Sequence, residues 1–164
     1  MRTLYFTLVT LHILAAVTWI GGVLFIALVG APALRTVEPP SLRTALWEAI
    51  GLRFRTVGWG AVILLLLSGT WLLWYRGWLA WSLLSSRAFW SAGVGLALGW
   101  KLGLVTLMLV LSLVHDVALS PSRARELDAR PDGAAIRRRV VLLARFGAIA
   151  ALGVVVAAVR LVRA

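Results

Sequence analysis

The sequence has no cysteine, asparagine or glutamine, one lysine against sixteen arginines, and no aspartate or glutamate inside its long apolar runs. Without cysteine there is no disulfide, thiolate zinc site, iron–sulfur cluster or thiol nucleophile. Without buried carboxylates a proton relay lacks its usual parts, and no nucleophile–base arrangement, phosphate loop or carboxylate pair points to a hydrolase. The missing thermolabile amides fit a thermophile, although the arginine excess also follows from base composition.

What the sequence does have is apolar material. Of 164 residues, 62% are hydrophobic and 14% charged, against about 45–50% and about 25% in soluble domains. That excess needs a bilayer as solvent. Four stretches are long enough to read as membrane helices, at about 4–29, 56–75, 91–115 and 140–160. The first exceeds the roughly 7–15 apolar residues of a signal peptide and is expected to be retained. The expected fold is all-α: a polytopic membrane protein forming a single transmembrane domain over 1–164, built as a four-helix transmembrane bundle.

Arginine placement orients the spans, because cationic loops are held on the cytoplasmic side. The first and third connections carry ten arginines, including Arg35, Arg43, Arg53, Arg55, Arg123 and Arg125; the other face carries Arg2, Arg76, Arg87, Arg160 and Arg163. Both termini are therefore expected outside, in the cell inner (plasma) membrane. The net charge of +11 is what topology requires and does not call for a nucleic-acid partner. Residues 41–54, with Ser41 at an N-cap position and Trp47 on an amphipathic face, read as an interfacial segment. Residues 116–139 read as a basic cytoplasmic loop with a turn at Pro131-Asp132-Gly133, near anionic lipid headgroups. Trp71, Trp74, Trp78, Trp81, Trp90 and Trp100 form an aromatic belt at the outer ends of spans two and three.

Ionisable residues inside a span are expensive and are functional hypotheses by default. His12, Lys101, His115 and Arg145 qualify. At about 1.5 Å per residue, His12 lies roughly 7 Å and Lys101 roughly 2 Å outside the midplane, and His115 roughly 19 Å inside it. The two histidines, about 25 Å apart in depth by that reckoning, are not expected to share a metal ion. His12, Ala16, Trp19 and Val23 share a helix face, and Gly21-Gly22 lets a helix or a flat ligand approach the backbone. Lys101, Val105, Met108, Ser112 and His115 form a second stripe.

Several chemistries stay open for these residues. His12 either bonds a backbone carbonyl on another helix or serves as an axial ligand of haem b, in a slot lined by Trp19 and Gly22. Lys101 snorkels or meets an anionic group such as a porphyrin propionate. His115 is a helix-end polar residue or a second ligand, with Arg53 and Arg55 meeting the ligand's anionic groups. Arg145 snorkels or joins that cluster. Copper would draw on His115 with Met108, or on His12 with donors from another subunit of a homo-oligomer. Ser68-Gly69-Thr70 reads as a close-packing point.

The stretch Leu11-His12-Ile13-Leu14-Ala15-Ala16-Val17-Thr18-Trp19-Ile20-Gly21-Gly22, followed by Phe25 and Pro32, resembles the first helix of CopD-type copper-resistance membrane proteins. Arg53-Phe54 before a span ending in Ser68-Gly69, and Lys101-Leu102 opening an apolar run, are similar to that family too. The His12-to-Trp19 spacing and the Lys101 and His115 pair also resemble the HemJ-type, haem-associated four-helix membrane proteins.

The leading expectation is a haem-b-binding membrane redox protein, active in electron transfer, porphyrinogen oxidation or haem handling. If it is an enzyme, it is a membrane oxidoreductase with a quinone or porphyrin as partner. The alternative is CopD-type copper uptake or homeostasis, with His12, His115 and Met108 as the available metal ligands. A third is a cofactor-free membrane assembly protein.

Overall fold

The computed structural model describes residues 2–91, 93–118 and 130–163. Residues 119–129 of the basic connection, with Arg123 and Arg125, lie outside the described residues, as does the side chain of Arg145. Every regular element among the described residues is helical: α1 (Arg2–Arg35), α2 (Pro40–Tyr75), the short α3 (Trp81–Leu84) and α4 (Arg87–Ser91), α5 (Gly93–Ala118) and α6 (Gly133–Arg163). Helices α1, α2 and α5 are long and apolar enough to cross a membrane, and α6 holds a shorter apolar stretch, Ile149–Leu161. The protein is an all-α polytopic membrane protein.

Exposure runs opposite to that of a soluble protein. Leu67 is 67% exposed while its neighbour Ser68 is 2% exposed. The buried positions are mostly small, among them Ala15, Ala61, Ala150, Ala151 and Ala157, while many large apolar side chains, such as Leu28, Leu67 and Trp81, face outward. Lipid supplies no hydrophobic drive between helices, so close backbone approach at small residues holds them together. Each helix satisfies its own backbone groups, as hydrocarbon demands.

The chain divides into two compact units, Met1–Leu84 and Ser85–Ala164. In the first, α1 and α2 form an antiparallel hairpin. Tyr5 packs on Tyr75, His12 meets Ser68, Trp19 lies against Gly58 and Phe54 against Gly22. Near its end α1 loosens into a π-helical turn, Ile26–Gly30, closed by the Ala31 N–H on the Ile26 carbonyl. Pro32 follows; its ring lacks an N–H and crowds the carbonyl four residues back, and widening the preceding turn relieves that crowding. The connection is tied by Arg43, which donates to the Arg35 carbonyl at 3.3 Å where α1 ends.

Helix α2 starts at Pro40, whose fixed φ suits the first helical position. Pro39 is its N-cap and Ser41 lies inside the first turn, so the serine cap expected from the sequence is not formed. Proline at two successive positions sets the start by geometry and leaves the N-cap position without a side-chain acceptor, while the Pro39 carbonyl accepts from the Leu42 and Arg43 N–H groups. Residues 41–54 continue into the second span as one helix of 36 residues. That is about 54 Å of helix against about 30 Å of hydrocarbon, so its charged first part need not be immersed.

In the second unit α5 and α6 pack antiparallel, with Leu104 against Gly153 and Leu111 against Gly147. The short α4 folds back on the start of α5: Trp90 packs on Gly99, and the Phe89 carbonyl occupies the place a Cβ of Gly95 would take. Gly93 has φ +56, the left-handed conformation that this reversal requires. The expected turn at Pro131-Asp132-Gly133 is present, with the Asp132 carbonyl accepting from Ala135 and Ile136 as α6 begins. The hydrogen bond from Arg130 holds the Asp132 carboxyl below its ordinary pKa.

Gly95→Ala is expected to lower unfolding stability in detergent by about 1–3 kcal/mol, because the obstacle is backbone. Gly103→Ala in the same helix meets open space and is expected to be neutral or stabilising by up to about 1 kcal/mol. Equal effects at the two positions would contradict this account of the α4–α5 reversal.

Candidate metal or cofactor site

The polar centre of the first unit is His12. Its Nδ1 lies 2.8 Å from Ser68 Oγ on α2, and that hydroxyl lies 2.5 Å from the Leu64 carbonyl one turn back. Gly69 makes room for the ring: a Cβ there would stand 3.2 Å from His12 Cε1. Both helices are needed for this seat. Helix α1 presents the imidazole on the face of Ala15 and Trp19, which are 5% and 7% exposed. Helix α2 answers with a hydroxyl followed by a residue without a side chain. The imidazole thus meets a side-chain hydroxyl of the facing helix.

Farther along the same face Trp19 is covered and Gly22 receives Phe54. A Cβ at Gly22 would overlap the Phe54 ring, so the flat group lying over this glycine comes from α2 itself. Gly21 faces open space. Arg53 is exposed and Arg55 half-buried on the helix that carries Phe54.

The other sequence-selected residues belong to the second unit. Lys101, Val105, Met108, Ser112 and His115 all lie on the covered side of α5, with Met108 buried at 5% exposure. Lys101 and His115 therefore lie at opposite ends of one stripe, with the thioether between them. His115 Nδ1 is 3.5 Å from the carboxylate of Asp116, beyond good hydrogen-bond length, and both side chains keep partial exposure. Among the described residues no three or more His, Cys, Asp or Glu side chains gather where they could hold a metal ion. His12 with Trp19 and Gly22 falls in one unit and Lys101, Met108 and His115 in the other.

Sequence reasoning treated Ser68-Gly69 as packing and did not join it to His12. The signal was present: a serine followed by glycine in a span is the pair needed to seat a ring, a hydroxyl to bond it and an empty side to admit it.

Comparison with known proteins decides the family. Residues 48–161 match the family model for copper resistance protein D (CopD). The chain belongs to the CopD family. The match runs from within α2 through most of α6, so the His12 motif on α1 lies outside the matched residues. The chain is also similar to an uncharacterized protein of Aquifex aeolicus (strain VF5), 29% identical over 108 residues. That alignment spans 65% of this chain and 64% of the relative. No solved structure matches it. Family membership supports a copper-linked multi-pass membrane protein, the alternative reading of the sequence, and gives haem b no support. The likeness to HemJ-type proteins rests on the sequence motifs alone.

Gly22→Ala is expected to destabilise the first hairpin by about 1 kcal/mol, and the cost should vanish in a Phe54→Leu background. Additive effects in that double-mutant cycle would show that the two side chains do not meet.

Proposed function

We propose that this CopD-family protein takes part in copper uptake or homeostasis by passing the ion through the membrane, with His12 as a residue on its route. The supporting observation is a histidine held by its Nδ1 inside a hairpin of apolar helices, in a chain whose family is linked to copper. An ionisable ring is costly to insert into hydrocarbon, which makes one inside a span a functional candidate by default.

The donor set favours passage over storage. Imidazole and thioether are the soft nitrogen and sulfur ligands that suit copper, particularly Cu(I). The described residues offer them singly, as His12, Met108 and His115, with no three-ligand cluster. An ion held by one or two protein donors at a time leaves readily, and conduction requires that. Additional donors for His12 would come from a second subunit. The arginine asymmetry supports a plasma-membrane orientation with both termini outside and the first and third connections in the cytoplasm.

A second reading is favoured by one specific feature. The sequence carries Lys101, Arg53 and Arg55 as well as two histidines, and cations suit the propionates of haem b better than they suit a metal cation. In that reading His12 is the axial ligand and the protein exchanges electrons or handles haem.

Two measurements test the proposal. Reconstituted in lipid vesicles, the protein should admit Cu(I), and His12→Ala should slow entry by roughly 10-fold or more, at least the loss typical of removing a ligand's support. Unchanged entry in that variant would remove His12 from the route. The natural absence of cysteine makes labelling unambiguous: Arg2→Cys should react with an impermeant maleimide in intact cells and Arg43→Cys should not. The reverse pattern would invert the topology.

A further inference from the structure

We infer that Ser68 is a positioning residue that fixes the proton of His12 on Nδ1, and so makes Nε2 the nitrogen that meets the metal ion. The argument is a count of protons. A serine hydroxyl has one hydrogen, and a carbonyl oxygen only accepts. Ser68 Oγ lies 2.5 Å from the Leu64 carbonyl and 3.4 Å from that of Leu65, so its hydrogen is committed within its own helix. Against His12 Nδ1, 2.8 Å away, the oxygen can then act only as acceptor. Nδ1 must carry the proton, and in the neutral ring Nε2 is the accepting nitrogen.

This is the reverse of what a free histidine side chain prefers in water, where Nε2 carries the proton, so the protein imposes it. It is also the arrangement that metal-binding histidines use: the second ring N–H donates to a fixed acceptor, which sets tautomer and orientation together. Gly69 completes the seat, since a side chain there would press on Cε1 and turn the ring. The metal assignment rests on the copper reading above; the tautomer does not.

The chain has two histidines, so nitrogen NMR of ring-labelled, metal-free protein shows two imidazoles, and His115→Ala assigns them. His12 Nδ1 should resonate as a proton-bearing nitrogen and Nε2 as a bare one. In Ser68→Ala the signals should exchange character or average, and Ser68→Thr, which keeps the hydroxyl, should restore them. Cu(I) affinity should fall about 10–100-fold in Ser68→Ala and recover in Ser68→Thr. An Nε2–H tautomer in the unaltered protein, or one that Ser68→Ala leaves unchanged, would overturn the inference. A protein with the expected tautomer that binds no Cu(I) would instead overturn the copper reading and leave the Ser68 role standing. Should Ser68→Ala fail to fold, the unaltered protein and Ser68→Thr still decide the tautomer.

Discussion

Lipid is as apolar as leucine, and from that constraint the rest of the structure follows. Packing two leucines together in a bilayer gains little, so the contacts that set helix arrangement are close approaches and the few polar contacts available. In the first unit these are Gly22 under Phe54, Gly58 beside Trp19 and Ser68-Gly69 around His12. In the second they are Gly147 and Gly153 on α6 and Gly95 under the Phe89 carbonyl. Large side chains were left to the lipid face, which is why Leu28, Leu67 and Ile149 are each more than 60% exposed.

The same constraint raises the significance of each buried polar group. A soluble core can surround a histidine with backbone and water, whereas a membrane hairpin must supply its partner from the facing helix. Ser68 does so, at the cost of a second bond back to its own helix turn. That double commitment converts a weak contact into a directional one. At the Tyr5 end of the hairpin, polar groups with access to the interface are used differently: Arg76 donates to the Tyr5 hydroxyl at 2.9 Å and lies 5.0 Å from the centre of the Trp78 ring. There the aromatic groups hold a cation at the boundary, as an interfacial belt does.

Much of this was legible from sequence because membrane burial writes itself into composition. The long apolar runs gave the helices, and 3.6-residue periodicity correctly put Lys101, Met108 and His115 on one covered face of α5. Helix starts were harder. Ser41 looked like a cap, but Pro39-Pro40 fixed the backbone first, and the amphipathic segment ran on into the second span. Pairing between helices was least legible. Nothing local to His12 indicates that its partner is 56 positions away, and a Ser-Gly pair reads equally as packing. The glycine at position 22 suggested a slot for a flat ligand, and only the facing helix shows that Phe54 lies in it. The leading ligand expectation, haem b, came from the polar residues inside the spans together with the resemblance to HemJ-type proteins; the family match at 48–161 favours copper instead.

The central claim is that His12 serves copper, and metal binding tests it most directly. Purified protein titrated with Cu(I) should bind the ion weakly and reversibly, lose most of that binding in His12→Ala, and show no haem band in an oxidised-minus-reduced spectrum. Iron near one equivalent with a Soret band that His12→Ala weakens, and no copper, would contradict the account.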